Sequence, residues 1–169
     1  DALIQGRFPR FSFDAIDAVF YGVDADAVVR LGPIDLGVQG SIVHARNTQD
    51  NEFLLFIPPD QIRADITYKF QDYEWLEDAQ LSLNVTLVAS QFNVSADSDF
   101  APVPSGYAHF GARASTFFYL GEGRYMLSAE VQNIMNQRYR DYTSLLRYFA
   151  DEPGRQVFIR FGTEFGFHS

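Results

Sequence analysis

The densest concentration of chemically capable side chains lies late in the sequence, where Arg138, Tyr139, Arg140, Tyr142, Arg147, Tyr148 and Arg155 share one stretch. A guanidinium presents a planar fork of N–H donors that matches carboxylate and phosphate oxygens, and phenol rings add flat faces on which an aromatic chelate can stack. The stretch therefore has the chemistry of a surface that grips anions or chelates. Catalysis has no comparable signal. His44, His109 and His168 stand far apart with no second ligand at metal-binding spacing, and neither Gly-x-Ser-x-Gly nor His-Glu-x-x-His occurs. An enzyme could pair His109 with Asp97 or Asp99, but no spacing signature supports that pairing. Asn84-Val85-Thr86 and Asn93-Val94-Ser95 fit the glycosylation pattern, the first inside a strand, and both read as chance matches.

What must position these residues is a set of strands. After Gln156, the residues Val157, Ile159, Phe161, Thr163, Phe165 and Phe167 fall on one face, and Arg160, Gly162, Glu164 and Gly166 on the other. That period of two marks a strand with one apolar and one polar side. The same alternation runs through 19–31, 36–42, 62–70, 81–89, 108–120 and 125–131, which predicts about seven strands. Residues 1–14 read as a loop running into the first of them. Connections are short at 32–33 and 121–123 and intermediate at 71–78. They are long at 43–60, 91–106 and 134–154, so the long ones all fall at one end of an antiparallel set. The arginine- and tyrosine-rich stretch is the last of these long loops. On the polar face stand Asp24, Asp26, Arg30, Arg63, Asp65, Arg113, Glu130, Arg160 and Glu164 among Gly, Ser, Thr and Gln. The apolar face ends beside the short turns in Tyr68, Phe70, Phe118, Tyr125, Phe165 and Phe167.

Composition narrows the class. The chain has 169 residues, 47% of them hydrophobic and 16% aromatic, with no cysteine. The absence of cysteine excludes a disulfide scaffold and thiol chemistry. A net charge of -9 argues against nucleic acid, whose phosphates need a basic face. No apolar run is long enough for a membrane-spanning helix, but strands escape that test because only alternate residues need face lipid. Segregated loop lengths, one apolar face and abundant aromatics point to an antiparallel transmembrane β-barrel segment rather than a soluble sandwich.

Residues 133–139 (NIMNQRY), then Gly154-Arg155 and the alternating strand to Phe167, resemble the C-terminal end of TonB-dependent outer-membrane receptors. Tyr21-Gly22-Val23-Asp24 is similar to the "YG-x-E" strand of that family, and Ile57-Pro58-Pro59 resembles its "IPP" loop end. The resemblance implies that residues 1–169 are the C-terminal part of a larger, 22-stranded barrel in the bacterial outer membrane, with the plug domain and N-terminal strands outside them. It implies import of a scarce nutrient such as a metal chelate or siderophore, driven through a TonB-type energy-transducing complex. Outer-membrane lipid and lipopolysaccharide become expected partners, and the arginine-rich loop could bind lipopolysaccharide phosphates as well as ligand. The family match also allows Tyr139, Gly154 and Arg155 to serve barrel folding instead. No enzymatic activity and no cofactor or resident metal are expected. Two alternatives remain: a small outer-membrane barrel enzyme, and a structural outer-membrane subunit of a larger assembly.

Overall fold

The structure, a computed structural model, describes residues 15–95 and 99–164. The sequence readings for residues 1–14, Asp97, Phe165, Phe167 and His168 fall outside the described residues. The chain forms seven strands: β1 (Ala18–Leu31), β2 (Ile34–Asn47), β3 (Gln61–Lys69), β4 (Leu76–Val88), β5 (Tyr107–Leu120), β6 (Gly123–Gln132) and β7 (Gln156–Glu164). They lie in one sheet in sequence order, each antiparallel to the next. Among the described residues β1 and β7 do not pair, so the sheet has two open edges.

The register carries the alternation across the whole sheet. Leu36 opposes Ile66, Ile66 opposes Leu83, Leu83 opposes Ala112, Ala112 opposes Val131 and Val131 opposes Val157, giving one continuous apolar row. The neighbouring row runs Arg30, Asp35, Thr67, Ser82, Arg113, Glu130 and Phe158 on the opposite face. A slip of one residue in any strand would exchange these faces. Neither face has a packed layer above it. Ala45 and Tyr142 are the buried hydrophobics of the described residues, whereas Val23, Leu83 and Ile159 on the apolar face are 66%, 49% and 75% exposed. So wide an exposed apolar face requires an apolar medium or partner.

The connections follow the expected asymmetry. Leu31 pairs with Ile34 across Gly32-Pro33, and Leu120 pairs with Gly123 across Gly121-Glu122. Gly32 and Gly121 have φ of 59° and 62°, left-handed values that tight turns ask of glycine. Two boundaries differ from the sequence reading by more than two residues. β2 continues to Asn47, opposite Ala18, because its ladder persists beyond the clean alternation. β4 begins at Leu76 because a β-bulge between Glu77 and Gln80 inserts one residue and reverses the parity. Leu76 therefore shares the apolar face with Leu81 despite its even number. Beside the short turns Tyr68 meets Phe70 edge-on at 4.9 Å, and Phe118, Tyr125 and Phe161 form a chain of rings with centroids 5.7 and 5.6 Å apart.

Candidate functional site

Two features stand out on the polar side, a concave floor and a cap of loops above its outer end. The floor is a groove of about 490 Å³ lined by Arg63, Asp65, Asn84, His109, Arg113 and Glu130, among others. Asp24 and Asp26 on β1 pair in register with Ser41 and Gln39, and Arg30 with Asp35. On β7, Arg160 donates from Nη1 to Glu130 Oε2 at 2.7 Å. The expected polar-face residues Asp24, Asp26, Arg30, Arg63, Asp65, Arg113, Glu130 and Arg160 thus share one face. Glu164 ends β7 opposite Arg124 in register. Small side chains keep the floor open. A Cβ at Gly37 would come within 2.6 Å of the Asp65 carboxylate, and one at Gly111 within 2.8 Å of the Asn84 amide.

Residues 133–155 fold over the outer ends of β5 and β6 through a set of asparagine staples. Asn133 and Asn136 adopt positive φ, which asparagine tolerates better than most residues. The Asn133 amide donates to Gln137 O and its Oδ1 accepts from Gln137 N–H, both at 2.9 Å. Asn136 Oδ1 accepts the Arg155 N–H at 2.9 Å, and Arg155 Nε donates to Ile134 O at 2.9 Å. A Cβ on Gly154 would lie 2.5 Å from that Asn136 oxygen, so only glycine leaves it room. Arg155 thus closes the base of the loop. Tyr139 packs its ring at 4.1 Å from His109 and 4.4 Å from Tyr107, and the Tyr107 hydroxyl donates to Asp141 at 2.8 Å. Burial works to raise the Asp141 pKa, but hydrogen bonds from Thr143 and Tyr107 outweigh it and leave it lowered.

The loop also contains a 3-10 turn, Leu145–Tyr148, that is inside out: Arg147 is 1% exposed while Leu145 and Leu146 face outward. Arg147 Nη2 donates to Asp99 Oδ2 and, at 2.9 Å, to the Tyr148 hydroxyl, which itself donates to Asp99 Oδ1 at 2.7 Å. The guanidinium carbon lies 4.5 Å from the ring centres of both Tyr142 and Tyr148 and 5.6 Å from that of Phe56. Arg140 is engaged too, donating to Asp151 Oδ1 and Arg147 O, both at 2.8 Å. Of the seven expected ligand-contacting residues, Tyr142 and Arg147 are buried inside the cap. Arg138 is exposed and lines a second hollow of about 290 Å³ with Tyr139 and Arg140.

Phe56, Tyr107 and Asp141 enter the site without a signal in the sequence. Asp99, a candidate partner of His109 by sequence, has its carboxylate taken by Arg147 and Tyr148. Its partner stands 48 positions away in sequence, and no local pattern marks that contact. No group of three or more potential metal ligands exists among the described residues.

An open, one-sided antiparallel sheet with two-faced strands, tight turns at one end and a loop cap at the other is a segment of a β-barrel. No family model and no curated protein sequence matches the chain. Among solved structures 16 chains match. One of them is the copper transporter OprC, with a TM-score of 0.72 at 20% identity, covering 86% of this chain. The present chain spans 24% of the OprC chain.

Proposed function

We propose that this chain is the C-terminal barrel portion of a TonB-dependent transporter of the bacterial outer membrane, importing a scarce nutrient such as a metal chelate. The observation that carries the reading is the pair of faces: a continuous apolar row with almost nothing packed on it, and a charged, grooved face behind it. Such a sheet is stable only where lipid covers one side and water or a plug covers the other. The likeness to OprC supports a transport role, and OprC's length leaves room for the strands and plug that this reading requires.

In this reading the short turns face the periplasm and residues 48–60, 89–106 and 133–155 face the cell exterior. Exposed Arg138, with Tyr139 and Arg140, meets an anionic or chelated ligand at the rim, while lipopolysaccharide phosphates contact the cap from outside. Arg63 and Arg113 stand along the groove among the carboxylates of Asp65 and Glu130. A TonB-type complex supplies the energy that rearranges the plug. The enzyme reading has less support, since Asp99 is bound to Arg147 and not to His109, whose ring packs against Tyr107 and Tyr139.

The test is uptake by cells that express the complete polypeptide, compared with a deletion strain, using radiolabelled copper and iron chelates. Accumulation that needs the gene and vanishes with a protonophore is the expected result. Equal accumulation in the deletion strain for every chelate would remove the transport reading.

A further inference from the structure

We propose that a hollow in the outer part of the apolar face holds one acyl chain of outer-leaflet lipopolysaccharide, with the phosphate end of that lipid at Arg46. The site rests on the outer-membrane placement proposed above and gives it a defined lipid position. The hollow measures about 540 Å³, and Val23, Ala25, Gly40, Ile42, Ile62 and Leu87 supply its apolar surface. All six belong to the apolar face by register, with Val23 opposite Ile42, Ala25 opposite Gly40, Gly40 opposite Ile62 and Ile62 opposite Leu87. The hollow forms where the sheet changes width. β2 stays paired with β1 as far as Asn47, but its ladder with β3 ends at Ser41–Gln61, and the margin left there is the notch. Gly40 deepens it. Its φ is not left-handed, and a Cβ there would meet nothing nearer than Gln61 O at 4.0 Å, so neither the backbone nor a close neighbour asks for glycine. Glycine within a strand weakens it, and what it supplies here is depth on a face turned to lipid.

The level of the hollow identifies the leaflet. The short turn at 32–33 lies at the far end of β2, whereas Asp60 and Gln61 on the hollow's rim are where the long connection 48–60 meets β3. One row further out stand Tyr21 and His44, in register with each other and with ring centres 5.3 Å apart. An exposed tyrosine at the end of an apolar strand face marks the membrane–water boundary. Beyond it Arg46 opposes Val19, its guanidinium 4.1 Å from the centre of the Phe53 ring and its Nη1 donating to Asn51 Oδ1 at 3.1 Å. Both partners are neutral, so the charge of Arg46 is left for an anion. Apolar surface below, an aromatic boundary in the middle and a cation above is the order of groups along a lipid with an anionic head. A chain that enters from the outer surface belongs to the outer leaflet, which in this membrane is lipopolysaccharide. The Asp60 carboxylate on the rim fits the divalent cations that bridge lipopolysaccharide phosphates.

The test uses the complete polypeptide, purified in detergent and freed of lipid, with lipid A that carries a photoreactive acyl chain. Crosslinks should gather on the peptides that hold Val23, Gly40, Ile62 and Leu87, and unlabelled lipid A should compete while phosphatidylethanolamine does not. Labels spread evenly over the apolar face, or equal competition by phosphatidylethanolamine, would overturn the site. Gly40→Leu, which fills the hollow, should lower lipid A retention in native mass spectrometry by about tenfold, the loss expected when about two methylenes lose their burial. Ala112→Leu, on the same face between Leu83 and Val131, should leave retention unchanged. Arg46→Gln should weaken retention most at low salt. Equal retention by Gly40→Leu and the unaltered protein overturns the proposal, as does a dimer in which a second copy takes the place of the lipid. If Gly40→Leu does not assemble, the crosslink map of the unaltered protein decides alone. Failure of uptake for every chelate leaves this result untouched, whereas transport without lipid A binding removes the site and keeps the transporter reading.

Discussion

The Arg147 guanidinium, enclosed by Tyr142, Tyr148 and Phe56 and held by Asp99, gives the cap a defined pH window. Burial works to raise the Asp99 pKa, but hydrogen bonds from Arg147 and Tyr148 and the Arg147 charge outweigh it, leaving it below its ordinary 3.8. A depressed carboxylate stabilises the cap fully above about pH 4, and that contribution is lost as pH falls through the lower folded value. Tyr148 behaves oppositely. Burial and its hydrogen bond to Asp99 push it from 10.0 up to about 12, so its contribution is complete below about pH 10 and disappears as pH rises through 12. Loop amide protection should therefore be flat between about pH 5 and 9 and fall at both extremes; a loss centred near pH 6 to 7 would contradict the arrangement. Gly154→Ala should displace the Asn136 carboxamide and cost about 1 to 3 kcal/mol through the lost Arg155 and loop contacts, measured as a lowered unfolding temperature. The sequence made residues 133–139 with Gly154-Arg155 visible as a unit, and the structure supplies the reason in the staples. Arg147 was visible as a cation but not as a buried one, because its burial depends on a carboxylate and a ring brought in by two other loops.

Among the elements, strands were the most legible, because the side-chain period of two is written directly into residues such as Val157, Ile159 and Phe161. The bulge in β4 was not legible, since Asp78 at φ 49° breaks the alternation it serves. The Asp78 N–H donates to Asp72 Oδ1 at 2.9 Å and Phe70 N–H to Ala79 O at 2.8 Å, so the turn and the bulge are built together. Deleting Asp78 should remove the bulge without a change of face, leaving Leu76 opposite Phe118 on the apolar side and Glu77, which accepts from the Tyr119 hydroxyl at 2.8 Å, on the polar one. The expected outcome is protein that still assembles on a heat-modifiability gel; loss of assembly would contradict the one-residue bulge. Opposite faces should also respond differently to charge. Leu83→Arg places a cation on the lipid side at a cost of about 2 to 4 kcal/mol near mid-membrane, whereas Ser82→Arg, one residue earlier, opens into the groove and should be tolerated. Equal stability of the two variants by urea titration in detergent and lipid would contradict the face assignment.

For the molecule as a whole, the decisive feature is the pair of open edges. Seven antiparallel strands leave β1 and β7 running the same way, and an unpaired edge in lipid leaves N–H and C=O groups without partners at several kcal/mol each. On the transporter reading, residues 1–169 expressed alone with an export signal should therefore fail to give a heat-modifiable monomer, while Val23→Cys and Ile159→Cys in a full-size barrel should stay accessible to lipid-soluble reagents. A closed monomer from these residues would contradict the open sheet. The strict sequence order of the sheet has a further consequence, for the timing of assembly. Every strand needs only its neighbour in the chain, so the sheet can be zipped hairpin by hairpin without any distant search. The steps are unequal in difficulty. Closing β6 onto β7 spans a connection about ten times longer than the one between β1 and β2, which adds about 2 kcal/mol of chain entropy to that step. The β1–β2 hairpin should form early, and β7 should be captured last by β6. Until then β6 is the growing margin of the sheet, and the strand most exposed to pairing with the wrong neighbour.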